Sequence, residues 1–279
     1  MSLPPYDVLM SAYAGDRGEW LSVALESMAA QTVAPEKMVL VFDGPVSDDV
    51  ERVVSGFASA HPGLLDLVRI PENGGLGPAL NAGLKRCASE VIVRMDADDW
   101  SDPTRCERQL GKIVEGCDMV GSNVAEFSED MHSPRALRVL PETRSEVFRF
   151  AHGRSPFAHP AFCVRRDALE LVGGYRDVRF AEDYDLFIRL LAAGFEGVNI
   201  QSPLVFMRVN EDAYRRRGGI SYLKDMFAFN YGHVKEGWFS PGDFLRRSIA
   251  NSVAALVPNF VRDALYRHIL RNKFNVKGK

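Results

Sequence analysis

The first 125 residues alternate between continuous apolar segments and amphipathic segments, and this alternation restricts the fold more than any other feature of the sequence. Four apolar segments are predicted to be strands, at residues 8–12, 38–42, 65–70 and 91–95. Three segments with apolar residues at helical spacing lie between them, at residues 17–31, 48–60 and 77–86. Strands that are apolar throughout and alternate with helices are typical of a mostly parallel sheet with helices on both faces. The sequence therefore predicts an α/β fold with a Rossmann-like sheet.

The alternation of strand and helix segments ends after Asn123, where four prolines interrupt a stretch that is rich in loops. Helices are predicted at residues 182–193 and 220–235, and an apolar stripe begins at Phe244. We therefore divide the chain into an α/β domain and a helical tail. The predicted ranges are a domain at 1–219, with halves at 1–125 and 126–219, and amphipathic basic helices at 220–279.

Charge is unevenly distributed, although the whole chain carries a net charge of only −3. Residues 243–279 contain eight Lys or Arg and two Asp, which leaves a net charge of −9 on residues 1–242. A basic end favours contact with an anionic surface, and no nucleic-acid-binding motif accompanies it. The four cysteines show no paired spacing and are expected to be reduced, which favours the cytoplasm. No signal peptide is expected at the start, nor any single helix that spans a membrane.

Three carboxylates follow the fourth predicted strand, in the segment Arg94-Met95-Asp96-Ala97-Asp98-Asp99. Carboxylates this close repel one another unless a cation or hydrogen-bond donors compensate their charge. Oxygen ligands at the end of a strand suit Mg²⁺ or Mn²⁺, which commonly bridge substrate phosphates. The alternative is an acidic turn that caps a helix beginning near Asp102, but a cap accounts for one or two carboxylates rather than three. The cluster therefore favours a divalent metal site.

Two further polar segments end strands at the predicted ligand-binding edge of the sheet. Asp43-Gly44 follows the second strand, and its carboxylate can accept a hydrogen bond from a nucleobase or a ribose, although Asp-Gly is also a common turn. Asn73-Gly74-Gly75-Leu76-Gly77 follows the third strand and opens a helix, which suits a phosphate. Its glycine spacing falls short of the dinucleotide fingerprint, and a helix start with turn glycines is an equally good interpretation.

The second half of the chain contains an acidic pair and two cationic candidates. Gly173-Gly174-Tyr175 leads to Glu182-Asp183 at a predicted helix start, where a carboxylate serves either as a helix cap or as a general base. His159 offers an imidazole to the cleft, although a single histidine is more often structural. Arg215-Arg216-Arg217 is interpreted either as a solvated turn or as a clamp on a diphosphate.

Taken together and in this order, these segments resemble the family 2 glycosyltransferases with the GT-A fold that build bacterial capsule, exopolysaccharide and O-antigen. Residues 11–16 belong to the same pattern, and the resemblance covers roughly residues 5–220. It implies that residues 1–219 form the catalytic domain, with a nucleotide-binding half at 1–125 and an acceptor-binding half at 126–219. Asp16 stands where a glutamate is commoner in the family, and Ala14 where an asparagine is usual. The resemblance implies an inverting enzyme that transfers galactose or glucose from a UDP-sugar to a glycan linked to undecaprenyl diphosphate, with Mn²⁺ or Mg²⁺ as cofactor.

The resemblance also implies roles for the matching residues. Asp183 is implied to be the catalytic base and Asp98 the metal ligand, with His159 as a second candidate ligand. The residues implied to contact the nucleotide sugar are Ala12, Tyr13, Asp16, Asp43, Asn73, Gly75, Arg94, Asp96, Asp99, Glu182, Arg216 and Arg217. A sugar nucleotidyltransferase would instead need a glycine-rich, arginine-containing loop after the first strand, and a non-catalytic nucleotide- or glycan-binding module would not need Asp183.

The tail combines an apolar stripe with basic residues. The stripe consists of Leu245, Ile249, Val253, Leu256, Val257 and Phe260. Positive charge comes from Arg246, Arg247, Arg262, Arg267, Arg271, Lys273, Lys277 and Lys279. One interpretation is peripheral contact of residues 243–279 with the inner face of the cytoplasmic membrane. The other is packing on the catalytic domain or on another copy of the chain, which leaves a homo-oligomer open.

Overall fold

The structure, a computed structural model, describes residues 2–209, 219–256 and 272–273. Arg216 and Arg217 lie outside the described residues, as do Val257 and Phe260 of the apolar stripe. The elements follow one another in this order: β1 (Tyr6–Tyr13), α1 (Gly18–Ala29), β2 (Lys37–Asp43), α2 (Asp48–Ala60), β3 (Leu65–Ile70), α3 (Leu76–Leu84), β4 (Val91–Arg94), β5 (Trp100–Ser101), α4 (Arg105–Val114), β6 (Met119–Phe127), β7 (Ala136–Arg138), α5 (Arg144–Ala151), a 3₁₀ turn (His159–Ala161), β8 (Cys163–Arg165), α6 (Arg166–Leu171), α7 (Glu182–Ala192), β9 (Gly197–Arg208), α8 (Gly219–Lys235), α9 (Pro241–Leu256) and β10 (Asn272–Lys273).

The strands form one mixed sheet in the order β10-β7-β6-β8-β4-β1-β2-β3, with β9 beside β6 and β5. In the first half, β1 pairs in parallel with β2 and β4, and β2 pairs in parallel with β3, as the alternation of strand and helix predicts. In the second half, β8 lies antiparallel to both β4 and β6, and β7 is antiparallel to β6. The short connection between β6 and β7 turns the chain back on itself, because a parallel return would need a crossover of a dozen or more residues. The predicted α/β class is confirmed, with strand directions more mixed than the sequence indicates.

Both faces of the sheet are covered by helices, which explains why its strands are apolar throughout. Val8 and Met10 of β1 face one core cluster that includes Leu21 and Leu25 of α1. Leu9, between them in the strand, faces the opposite cluster, to which α3 and α7 contribute. Successive side chains of a strand point to opposite faces, so a strand buried on both sides needs no polar alternation. Helices thus bury both faces of the sheet, and the polar candidate residues lie at the ends of its strands.

The two C-terminal helices pack against the catalytic domain through Arg247 of α9. This side chain is buried, and its Nε donates to the Asn230 side chain on α8 at 2.8 Å. Its Nη1 donates to the Gly153 carbonyl at 2.7 Å and to the Tyr184 hydroxyl at 2.8 Å. The prediction that Arg247 contributes charge to a membrane-facing surface is therefore wrong, because a guanidinium that is hydrogen-bonded inside the protein cannot also face lipid.

The first three residues of the predicted apolar stripe point away from the domain. Leu245, Ile249 and Val253 are 61%, 57% and 52% exposed. Arg246, next to Leu245, is also exposed. Within residues 2–209, 219–256 and 272–273, none of the helices is both long enough and apolar enough to cross a bilayer.

Candidate active site

Most of the predicted site residues meet at one edge of the sheet. Tyr13, Asp43 and Arg94 are the last residues of β1, β2 and β4, and Tyr13 lies directly beside Asp43 in the strand register. Because the carboxyl ends of these parallel strands share an edge, the segments that follow them are brought together. The start of α7 approaches the same edge through its contact with α3. The fold thus assembles four segments that are far apart in the sequence.

The acidic cluster after β4 is compact. Asp96, Asp98 and Asp99 each offer a carboxylate oxygen, and the three atoms lie within 4.8 Å of one another. Burial, reinforced by the charges of Asp96 and Asp16, raises the pKa of Asp98 to about 7. Burial and the charges of Asp98 and Asp96 raise the pKa of Asp99 well above its ordinary value. One oxygen of Asp99, Oδ2, is buried with no hydrogen-bond partner among the described residues. A hard divalent cation fits this set of donors, because it would neutralise the repulsion and occupy the unused oxygen.

Arg94 compensates part of this negative charge. Its buried guanidinium forms an ion pair with Asp96, and its Nε and Nη1 atoms find no hydrogen-bond partner in the described chain. Burial alone would lower the pKa of Arg94, but the Asp96 carboxylate, together with Tyr175 and Asp99, outweighs burial and raises it. Arg105, which sequence reasoning missed, is completely buried and donates from Nη2 to the Arg94 carbonyl at 2.7 Å. It thereby fixes the end of β4 from which the acidic cluster extends.

Arg208, at the end of β9, holds the acidic cluster from the other side. Its backbone N–H donates to Asp99 Oδ1 at 2.8 Å, and its Nε donates to the Asp98 carbonyl at 3.3 Å. The guanidinium lies between the rings of Trp20 and Phe127, at 4.5 and 4.6 Å from their centroids. No local sequence pattern marks Arg208, since its partners are more than a hundred residues away or on other elements.

The loop after β1 adds a fourth carboxylate. Asp16 accepts a hydrogen bond from the Tyr13 N–H at 2.9 Å. Burial and the nearby charge of Asp96 raise the pKa of Asp16 to about 6, against the opposing effect of the Tyr13 hydrogen bond. Tyr13 is exposed and available to a ligand, whereas Ala12 is completely buried in the core. The nucleotide contacts of Ala12, Tyr13 and Asp16 stay predictions.

Asp43 is tied to the glycine-containing loop between β3 and α3. Its two carboxylate oxygens accept from the backbone N–H groups of Gly74 and Gly75 at 2.7 and 2.9 Å. The Asn73 side chain donates in turn to the Asp43 carbonyl at 3.1 Å. Gly44 has a φ of +81°, and a Cβ there would lie 2.8 Å from the Asn73 nitrogen, so a glycine is required at this close approach. In this structure Asp43 therefore shapes the loop, and its predicted contact with a nucleobase stays a prediction.

The acidic pair lies at the start of α7, directly against the start of α3. A Cβ built on Gly77 would lie 3.6 Å from Tyr175 Cβ and 3.9 Å from Glu182 Cβ. Asn81 of α3 joins the two segments, because its side chain accepts from the Tyr175 N–H at 2.8 Å and donates to the Tyr175 carbonyl at 2.7 Å. Sequence reasoning named the segment around Asn81 but missed this link. Burial, and next the charge of Asp183, raise the pKa of Glu182.

His159 lies in the same neighbourhood but outside the carboxylate cluster. Its Nε2 is 2.8 Å from the Tyr175 hydroxyl, and the residue is buried. Burial, with the charge of Arg94 acting in the same direction, holds the pKa of His159 well below its ordinary value. The neutral imidazole therefore takes part in a hydrogen bond that uses one of its two ring nitrogens. Its predicted role as a metal ligand stays a prediction.

Sequence comparison identifies the family to which this arrangement belongs. Residues 7–173 match the family described as Glycosyl transferase family 2. The chain belongs to this family. It is 32% identical over 270 residues to UDP-Gal:alpha-D-GlcNAc-diphosphoundecaprenol beta-1,3-galactosyltransferase of Escherichia coli, with 96% of this chain and 97% of the relative covered. It is also 35% identical over 219 residues to the amylovoran biosynthesis glycosyltransferase AmsE of Erwinia amylovora, covering 78% and 82%.

Solved structures of glycosyltransferases share the fold. The mannosyltransferase PcManGT from Pyrobaculum calidifontis, solved in complex with GDP-Man and Mn²⁺, superposes with a TM-score of 0.67 at 19% identity, covering 94% of this chain and 73% of that one. Staphylococcus aureus TarS residues 1–349, in complex with UDP-GlcNAc, superpose with a TM-score of 0.62 at 15% identity, covering 93% and 69%. The family 2 glycosyltransferase described here thus has the GT-A fold, as its sequence predicts.

Proposed function

We propose that this glycosyltransferase transfers galactose from UDP-galactose to a sugar that is linked through a diphosphate to a polyprenol, with inversion at the anomeric carbon, in the synthesis of a bacterial surface polysaccharide. The observation that carries the proposal is the contact of the α3 start with the α7 start. This contact brings the pair Glu182-Asp183 to the edge of the sheet where the acidic cluster follows β4, and the charges of Arg94 and Asp96 act on Glu182 there. The 32% identity to a UDP-Gal transferase, which covers 97% of that protein, supports UDP-galactose as the donor and a diphosphate-linked sugar as the acceptor.

The donor's diphosphate belongs beside the acidic cluster. Asp98 would hold a Mn²⁺ or Mg²⁺ ion there, with the unpartnered Oδ2 of Asp99 and the carboxylate of Asp96 close by. When bound, such an ion supplies charge that stabilises the departing nucleoside diphosphate. Arg94 offers two further unused N–H groups at the same place, and Arg216 and Arg217 remain candidates for the diphosphate. Tyr13, Asp16, Asp43, Asn73 and Gly75 are assigned to the nucleoside side.

Asp183 is assigned as the base that takes the proton from the acceptor hydroxyl. Its carboxylate accepts from the Tyr184 N–H at 2.7 Å, which holds it in the first turn of α7. Because burial and the charge of Asp183 raise the pKa of Glu182, Glu182 keeps a proton more readily and is not assigned as the base. The deprotonated hydroxyl oxygen then attacks the anomeric carbon from the face opposite the diphosphate. An α-linked donor therefore gives a β-linked product.

The acceptor's polyprenol anchor places the reaction at a membrane. We assign the exposed stripe of Leu245, Ile249 and Val253, with the exposed Arg246 beside it, to peripheral contact with the inner face of the cytoplasmic membrane. Apolar side chains that insert into the interface and basic side chains that face anionic lipid act together in such contacts.

The experiment that tests the function is a donor panel with a defined acceptor. UDP-galactose, UDP-glucose, UDP-N-acetylglucosamine and GDP-mannose are each incubated with N-acetylglucosamine α-diphosphate that carries a short alkyl chain. Mass spectrometry identifies the product, and NMR gives the configuration of the new linkage. We expect a β-linked galactoside and free UDP, dependent on Mn²⁺ or Mg²⁺. Formation of UTP and galactose 1-phosphate from UDP-galactose and added inorganic diphosphate, without a glycoside, would instead indicate nucleotidyl transfer and would refute the proposal.

A further inference from the structure

Phe180 has a backbone conformation that a bulky side chain rarely adopts. Its φ is +68°, and it is the single residue other than glycine with a positive φ in the part of the chain that the structure describes. Glycine adopts this region without steric cost, whereas a side chain with a Cβ collides with its own backbone there. Residues held in such conformations cluster at functional sites, where the surroundings keep them in place.

Burial of the ring does not account for this conformation. Phe180 is 39% exposed, although the Tyr222 side chain that it contacts, on α8, is buried. The Phe180 ring meets the Tyr222 ring edge to face at a centroid distance of 5.7 Å, and the Arg179 guanidinium lies 5.0 Å from its centroid. Tyr222 therefore fixes the position of the ring and Arg179 covers part of it, while a substantial apolar surface remains open to solvent. A glycine at this position would adopt the positive φ without steric cost. The presence of a phenylalanine there therefore suggests that the ring itself has a role.

Phe180 is close in the chain to the proposed catalytic base. Phe180 precedes Asp183 by three residues, so their Cα atoms are at most about 11 Å apart. The intervening Ala181 is the N-cap of α7, and the Asp183 carboxylate is held in the first turn of that helix. A molecule that presents a hydroxyl to Asp183 is therefore bound at most about 11 Å, measured between Cα atoms, from the residue that carries the exposed ring.

The chemistry of such a molecule matches an exposed aromatic ring. One face of a sugar ring presents mainly C–H groups, and aromatic side chains with one open face bury such surfaces while polar groups stay solvated. We propose that Phe180 binds the acceptor sugar by packing the exposed part of its ring against the C–H face of that sugar, so that the reacting hydroxyl is directed toward Asp183. This inference rests on the proposed function, since it requires that an acceptor sugar is bound at Asp183.

The test compares the KM for the acceptor with the KM for the donor in variants of the full chain. Phe180→Ala removes the ring and keeps the Cβ, and it should raise the KM for the alkyl-diphosphate N-acetylglucosamine acceptor roughly tenfold, as expected for the loss of one apolar contact. The KM for UDP-galactose should change less than twofold. Phe180→Tyr keeps the ring and should restore the acceptor KM to within about threefold of the wild-type value. Phe148→Ala is the matched control, because Phe148 on α5 is similarly exposed, at 46%.

Phe180→Gly distinguishes the effect of the ring from the effect of the backbone conformation. It removes the ring and relieves the backbone cost, so we expect an acceptor KM as high as that of Phe180→Ala with an unchanged or higher Tm. A wild-type acceptor KM in Phe180→Gly would overturn the inference, because the turn rather than the ring would then matter. Equal increases in the donor and acceptor KM values of Phe180→Ala would also overturn it. The proposed function fails separately, by absence of galactosyl transfer in the wild-type protein.

Discussion

Replacement of Asp98 by asparagine should make the metal-free protein more stable while it abolishes transfer. Burial and the charges of Asp96 and Asp16 raise the pKa of Asp98 from its ordinary value of 3.8 to about 7. The folded state therefore binds a proton at Asp98 more readily than the unfolded state does. Stability consequently falls as the pH rises from about 4 through 7, because the folded protein must then keep an ionised carboxylate among its neighbours.

The size of the effect follows from the pKa values. A change from 3.8 to about 7 corresponds to at most about 4 kcal/mol of unfolding free energy at pH 8. Partial solvation and shared protonation with Asp96 and Asp99 reduce this, and we expect about 2 kcal/mol. For a chain of this size, that corresponds to a Tm increase of about 4–8 °C for Asp98→Asn. At pH 4 the folded carboxylate is protonated and the unfolded one is only partly ionised, so the difference should shrink to below about 1 kcal/mol.

Thermal and urea unfolding at pH 8 and pH 4, with chelator or with Mn²⁺, provide the measurement. Mn²⁺ should stabilise the wild-type protein more than Asp98→Asn, because a ligand that binds the native state alone raises its stability. Asp130→Asn is a suitable control: the Asp130 carboxylate accepts from the His132 N–H, its pKa is lowered chiefly by that hydrogen bond, and its loss should not increase stability. If Asp98→Asn is less stable than the wild type at pH 8 with chelator, the Asp98 carboxylate is a structural group and the reasoning is refuted.

Three further predictions concern the base, the contact between helices and the tail. Asp183→Asn should keep the affinity for the donor, measured by calorimetry, and lose roughly 10²–10⁴-fold in kcat. If donor affinity collapses while turnover is preserved, the catalytic base lies elsewhere. Gly174→Ala should lower the Tm by several degrees and reduce kcat. Gly174 has a φ of +67°, and the new Cβ would lie 2.5 Å from the Asn81 side-chain oxygen. An unchanged Tm would contradict this prediction. Replacement of Leu245, Ile249 and Val253 together by serine should reduce flotation with anionic liposomes at low salt without lowering the Tm, and equal flotation would refute the membrane assignment.

The sequence by itself determined the fold class and the order of the site segments. Apolar strands and periodic helices can be recognised locally, so α2 and β3 were predicted with the bounds that the structure has. The carboxylates after β4 and at the start of α7 were recognised because several charges within a few residues demand a physical explanation. A family pattern spread over more than two hundred residues then specified the reaction class, which the sequence comparisons confirm.

Only the tertiary structure decided which groups surround those carboxylates. Arg208 holds Asp99 across 109 residues of sequence, and Asn81 joins α3 to Tyr175 across 94. Arg247 seemed to be a surface charge in an amphipathic pattern, yet it is buried against Tyr184 and Gly153. Helical periodicity places a side chain on a face of its own helix, but it does not say which other element covers that face. The reason is physical: periodicity and charge density are local properties of the chain, whereas hydrogen-bond partners and burial depend on how distant elements pack together.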